Sequence, residues 1–288
     1  MKYLATISTL LMCLSLSAQH LKSLKICDLD KKLYETSGLV LIDNKYLITH
    51  NDGGNKSEIY VLNLEGKLLK TIDVDEAKNR DWEDLATDDQ GRLYIGDFGD
   101  NLNVRDKKQI YILRSGFVDD KNQKVNADKI TFTYPDQKKF PPHKSEMNFD
   151  AEAFIWLNGQ IYIFTKCRTK PFTGISYIYT IPATEGEHVA KKIGRFQFCS
   201  SNWQWCSVTA ADYNPKTKEL SILTYSKLYV YSNFKGHNFW EGKRKTYNIT
   251  SIKQREAICY NGKNSWYMTD EYRRGFGGGN LYKLWLSE

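Results

Sequence analysis

The sequence predicts an all-β protein built as a single β-propeller, and three observations predict it. A short pattern recurs down the chain at wide, nearly regular spacing: an acidic strand entry, a polar turn, then an aromatic or β-branched strand. Such recurrence is the signature of a repeat architecture. Aromatic residues make up 14% of the chain while only 6 prolines occur, a balance that suits pleated, half-buried strands. The last copy lacks its outer strand, and a spare one, residues 21–29, stands ahead of the first. A propeller closes its ring this way and leaves no long edge open. A sandwich or jelly roll also has many short strands, but predicts neither similar entries nor a displaced strand.

In chain order, the first copy runs through strands at 35–40, 45–50, 58–62 and 67–72, and the second through 80–86, 91–97, 109–113 and 129–134. The third takes 150–154, 160–166, 177–181 and 192–198, with Asn158-Gly159 as its hairpin turn. The fourth takes 208–213, 220–225, 228–231 and 245–249, and the fifth 255–259, 265–270 and 281–285. Inner strands centred near Leu39, Leu85, Phe154, Tyr213 and Ile258 are spaced by 46, 69, 59 and 45 residues. The two long intervals carry insertions at 135–149, 167–176 and 199–207. This reading gives five four-stranded blades; a sixth requires a degenerate copy inside the second interval.

Residues 1–18 read as a secretory signal peptide: Lys2, an apolar run from Leu4 to Leu16, then Ser17-Ala18. That run is short of the roughly 18–20 residues a membrane span needs. Residues 19–288 are then one propeller domain, exported and monomeric, with no transmembrane segment. The net charge of +7 becomes +6 once Lys2 is removed. The remaining cations are scattered in runs of two or three, which argues against nucleic acid as a partner and fits a small polar or anionic ligand. Five cysteines remain (27, 167, 199, 206 and 259). Cys199 and Cys206 can close a small loop, with Cys167 as a competitor for either. No close Cys or His pairs suggest zinc.

Ligands of propellers sit at a mouth of the central channel, so the strand entries are the first place to look. They carry Glu35, Glu83 with Asp84, Glu152 with Asp150, Asp212, and Glu256, with Asp270-Glu271 ending the following strand. Carboxylates from separate blades converging on one axis repel unless paired, protonated or bridged by a cation. Oxygen-only donors favour Ca²⁺ or Mg²⁺, and Glu83, Glu152 and Glu256 are the expected metal ligands. The plainer reading is structural, with each carboxylate capping backbone amides or pairing with Arg80, Lys166, Arg168, Arg255, Arg273 or Arg274. Ala211, aligned with Glu83, Glu152 and Glu256, makes the ring unequal, as a specific site is. Further ligand contacts are expected from the polar loops that hold His50 and Asp52, Asp97, Asp270 and Glu271, and from Lys166. Trp82 reads as an interblade wedge. No Gly-x-Ser-x-Gly elbow supports a serine hydrolase.

These motifs carry a resemblance. Glu35-x-Ser37-Gly38-Leu39, His50-Asn51-Asp52-x-Gly54, Asp81-Trp82-Glu83-Asp84-Leu85-Ala86, Gly96-Asp97-x-Gly99-Asp100-Asn101, Ala151-Glu152-Ala153 and Arg255-Glu256-Ala257-Ile258 resemble secreted bacterial propellers of the SdiA-regulated and phytase-like (esterase-like) type. The resemblance covers nearly all of residues 19–288 and implies a propeller and export. The Leu-Tyr-Ile-Gly strand is similar, more distantly, to calcium-dependent apyrases. Three functions follow as expectations. The chain binds a small polar ligand through a divalent cation, hydrolyses phosphoesters with that metal, or serves as an extracellular protein-contact scaffold whose contact surface is the loops at 135–149 and 199–207.

Overall fold

Largely apolar runs such as Leu93–Asp97 are buried along their whole length, whereas Leu68–Asp75, with polar residues interspersed, buries only Ile72 and Val74. That contrast separates strands covered on both faces from outer ones. The computed structural model describes residues 20–249 and 253–287; the signal-peptide reading lies outside the described residues. The chain begins with β1 (Leu21–Asp28), then β2 (Thr36–Ile42), β3 (Tyr46–Asn51), β4 (Glu58–Leu62) and β5 (Leu68–Asp75). Next come β6 (Trp82–Thr87), β7 (Leu93–Asp97), β8 (Lys108–Leu113) and β9 (Lys124–Thr133). The third group is β10 (Asp150–Leu157), β11 (Gln160–Lys166), β12 (Ile175–Pro182), β13 (Gly186–Val189) and β14 (Lys191–Gln197). A single helical turn, α1 (Trp203–Cys206), leads into β15 (Val208–Asn214), β16 (Glu219–Thr224), β17 (Lys227–Ser232) and β18 (Lys243–Asn248). The last strands are β19 (Arg255–Tyr260), β20 (Ser265–Asp270) and β21 (Asn280–Leu286).

The strands form antiparallel meanders of four: β10-β11-β12-β14, β15-β16-β17-β18, and β19-β20-β21 completed by β1. The N-terminal strand therefore joins the last sheet, in register from Leu21 opposite Leu286. The meanders β2–β5 and β6–β9 are joined at their outer edges, where β5 and β9 pair in parallel through Asp73–Asp75. Strand β13, inside the third interval, also pairs in parallel with β9. Neither edge pairing is legible in the sequence.

The inner strands close a circle in which β2 lies beside β6, β6 beside β10, β10 beside β15, β15 beside β19, and β19 beside β2. Apolar cores fill the spaces between successive sheets rather than one central core. Trp82, Ile95 and Tyr111 meet Ile48 and Val61 in one of them, and Leu39 and Tyr60 meet Ala257 and Tyr267 in another. Trp82 is fully buried there, as a wedge between sheets. Polar side chains lace the circle. The Ser37 hydroxyl donates to the Glu83 carbonyl at 2.6 Å. The Asp84 carboxylate accepts from the amides of Leu85, Phe154 and Ala211, at 2.9, 3.1 and 3.3 Å. Asp212 accepts from Tyr213 and Tyr260, at 2.8 and 2.7 Å. These two aspartates tie β6 to β10 and β15, and β15 to β19.

Candidate functional site

Every inner strand carries a β-bulge near its start, and the unpaired residues are Gly38, Glu83, Glu152, Thr209 and Glu256. A bulge inserts one residue without a cross-strand partner and re-aims its side chain. Three of five are glutamate. The position equivalent to Glu83 in the fourth strand is thus Thr209 rather than Ala211, and in the first it is Gly38. The ring is unequal, but at other residues than the sequence alignment gives. A one-residue bulge shifts the register of everything before it, which a pattern of apolar residues does not reveal.

Glu83 is the hub. Among the described residues its carboxylate oxygens lie within 4.8 Å of those of two acidic groups, Asp52 with Asp81 and Asp150 with Glu152, either of which can hold a metal ion with it. Asp52 follows β3, Asp81 enters β6, and Asp150 and Glu152 open β10, so three successive sheets contribute. Glu83 is 5% exposed, and no hydrogen bond or ion pair reaches its carboxylate from the described residues. Burial, then the charges of Glu152, Asp52 and Asp81, hold its carboxyl well above the usual range. Gly99 lies over it: a Cβ there would collide with the Glu83 and Asp81 carboxylates. The donor set is oxygen only, the type preferred by hard divalent cations.

The neighbouring Glu152 is paired. Lys166 Nζ stands 2.9 Å and Arg168 3.0 Å from its Oε1. Arg168 Nε also donates to Asp150 at 2.6 Å, while the Asp100 amide donates to the other Asp150 oxygen at 2.7 Å. Lys166 donates to the Tyr225 hydroxyl at 3.1 Å. The structural role weighed for Lys166 and Arg168 is therefore realised at Glu152, and not at Glu83.

The other expected site residues divide. Glu256 belongs to neither acidic group; it accepts from Gln254 at 3.0 Å. Glu35 is exposed and accepts from Asn55. Glu271 lies half-buried near Asp52 and Arg273. Asp97 accepts from the Asp81 amide at 2.9 Å and pairs with Arg105 at 3.3 Å, which sets the loop beneath the hub. His50, Asp84 and Asp270 are consumed within the fold. The His50 ring is fully buried, edge-on to Trp82, with Nδ1 at 2.9 Å from the Asn51 carbonyl, and burial pushes its pKa down to about 4. Asp270 accepts from Asn280 and from the Tyr282 hydroxyl. Asp81 was not among the candidate carboxylates, and Asp150 was named at its strand entry but not as a metal ligand. The repeated Asp-x-Glu of 81–83 and 150–152 is the signal that finds them.

Burial raises the Asp81 carboxyl to about 8, aided by Asp52 and Asp150. It raises Glu256 to about 8, Glu152 to about 7 against the opposing charge of Lys166, and Glu271 to about 7. A folded-state pKa above the unfolded one means the native chain binds more protons, so the stability these groups contribute is present in acid and lost as pH rises. Metal-free protein should therefore unfold at lower urea at pH 8.5 than at pH 5.5. An equal or higher midpoint at pH 8.5 contradicts this charge ring.

The sequence matches no protein-family model and no curated protein. Solved structures match over nearly the whole chain. Aldose sugar dehydrogenase from Streptomyces coelicolor, in its PQQ-bound form, is 7% identical with a TM-score of 0.53, covering 93% of this chain and 98% of its own. Glutaminyl cyclase from Myxococcus xanthus is 12% identical with a TM-score of 0.54, covering 92% and 96%. The fold is a β-propeller. Identities this low establish the architecture and carry no chemistry across. A third match, the Malassezia sympodialis allergen Mala s 1, has a TM-score of 0.54 at 9% identity and covers 90% and 95%. The disulfide joins Cys199 to Cys206, and Cys27, Cys167 and Cys259 are free. No helix among the described residues is long and apolar enough to cross a membrane.

Proposed function

We propose that this chain is an exported, five-bladed propeller that binds a divalent cation, Ca²⁺, at Glu83, and a small polar or anionic ligand through it. The single observation that carries the reading is the buried Glu83 carboxylate, which has acidic neighbours from three sheets and, among the described residues, no ion-pair partner. A carboxylate in that position either holds a proton or is bridged by a cation. Asp52 and Asp81 complete one oxygen set around it, Asp150 and Glu152 the other, and the bare backbone of Gly99 leaves the space. The five-blade count is supported by the closed circle of five bulged inner strands. Arg168, partly exposed beside Glu152, is the cation that an anionic group on the bound ligand would meet.

The test is titration calorimetry of Ca²⁺ into chelator-stripped protein, with melting temperature followed in parallel. Binding only to the native state at 100 times Kd adds about 2.7 kcal/mol, a rise of roughly 5–10 °C for a domain of this size. Glu83→Gln should abolish the response, and Gly99→Ala should weaken it by crowding the same oxygens. A flat titration together with an unmoved melting temperature in the unmodified protein overturns the proposal.

A further inference from the structure

A cavity of about 260 Å³ opens beside the carboxylate ring, between the loop that precedes β15 and the hairpin that joins β20 to β21. Its size is below the roughly 300–1,000 Å³ of drug-sized sites and suits one ring rather than a chain. Trp203 and Trp205 line it from the loop and Phe276 from the hairpin, and the buried Tyr225 lies edge-on to Trp203 at 6.4 Å. Trp203, Trp205 and Phe276 are 47%, 37% and 81% exposed. Three large aromatic side chains left in water around one cavity mark an interaction site rather than ordinary surface.

Both walls are held in place. The tryptophan loop is closed by the Cys199–Cys206 bridge, capped by Asn202 on the Trp205 amide at 3.1 Å, and anchored by Ser226 on the Trp205 carbonyl at 2.8 Å. The opposite hairpin is fixed by the Arg273–Gly277 bridge, and Tyr272 beside it stacks on Tyr34 at 4.4 Å. Preformed aromatic faces of this kind cost little conformational entropy when a ligand arrives.

The polar lining decides the ligand class. Lys253 and Arg273 offer donors, while Glu271 and Gln254 offer acceptors. Gln254 already gives its Nε2 to Glu256 and has no partner on Oε1 among the described residues. Lys253 is held by Asp270 at 3.4 Å and by the Tyr282 hydroxyl at 2.9 Å, so its charge is balanced locally. A nucleotide would need surplus positive charge here. An organic cation would meet Lys253 and Arg273. Donors and acceptors in balance between aromatic faces suit a neutral ring with hydroxyl groups around its rim and C–H faces above and below.

We infer that this cavity is a subsite for a single neutral sugar ring, stacked between the Trp203–Trp205 wall and Phe276. The inference goes beyond the cation-bridged reading and stands on the cavity's own residues. Tyr225 connects the two sites: it lines the cavity and accepts from Lys166, the cation paired with Glu152.

The experiment follows intrinsic tryptophan fluorescence of the full chain during titration with a panel of neutral methyl hexosides and methyl pentosides, with adenosine monophosphate and choline as charged comparisons. At least one glycoside should give a saturable change with a Kd of about 1 mM or tighter. Trp203→Ala and Phe276→Ala, from opposite walls, should each weaken it about tenfold, in the range of one lost aromatic contact, without moving the melting temperature. Trp203→Ala should keep the parent's melting-temperature response to Ca²⁺, so failure of one site does not disguise failure of the other. Absence of saturable binding by every glycoside overturns the inference. So does tighter binding of either charged probe, or affinity unchanged in both aromatic variants.

Discussion

Replacing Asp84 by alanine is expected to cost more stability than any other single change at the ring. Its carboxylate accepts from three buried amides on β6, β10 and β15. Each amide left without an acceptor costs about 1–3 kcal/mol, and Asp84 is fully buried. Burial pushes the Asp84 carboxyl well above the usual range despite these donors, so removing the carboxylate returns part of the loss. A net destabilisation of about 3–5 kcal/mol remains, which lowers the melting temperature by roughly 10 °C. Asp84→Asn keeps one acceptor oxygen and should lose about half as much. A urea midpoint for Asp84→Ala within error of the parent would show that the ring is not held by this lacing.

The contrast between Glu83 and Asp84 explains how much was legible in the sequence. Residue types and repeat order were enough for strands, for their grouping in fours, and for the displaced first strand, because these depend on local pattern and on the need to cover edges. Acidic strand entries were legible too. Which acid faces the mouth was not. Glu83 sits on the bulge and Asp84 is the next residue, yet one has acidic neighbours without a counter-charge and the other satisfies backbone amides of the ring. The two roles expected as rivals for one motif are divided between adjacent residues by a single unpaired position. In the fourth strand the bulge falls at Thr209, and Asp212, three residues on, takes the lacing part. Asp81 escaped notice because its partner Asp52 lies in another sheet, a proximity set by ring closure and not by sequence spacing. The tryptophan loop was read as an insertion, and its role depends on a facing hairpin about 70 residues away in the chain.

Lys166→Met carries the other large effect, and it separates a structural ion pair from a functional one. Lys166 is almost wholly buried, 2.9 Å from Glu152, and it is the opposing charge that most restrains the rise in the Glu152 carboxyl. Removing one partner of a buried pair typically costs 3–5 kcal/mol, because the survivor stays buried without compensation. Arg168 remains near Glu152, so a loss of about 3 kcal/mol is expected in chelator. If the pair is only a stabilising contact, Glu152→Gln in the same background restores most of the loss, and Ca²⁺ changes nothing. If Glu152 also belongs to the cation site, removing Lys166 leaves the oxygen set more negative, and Ca²⁺ should bind Lys166→Met more tightly than the parent. Melting curves of the single and double variants, with Ca²⁺ and with chelator, form a double-mutant cycle that isolates the term. Rescue of Lys166→Met by Ca²⁺, lost again when Glu152→Gln is added, is the expected outcome. Rescue of equal size in both backgrounds would place the cation with Asp52 and Asp81 instead, on the other side of Glu83.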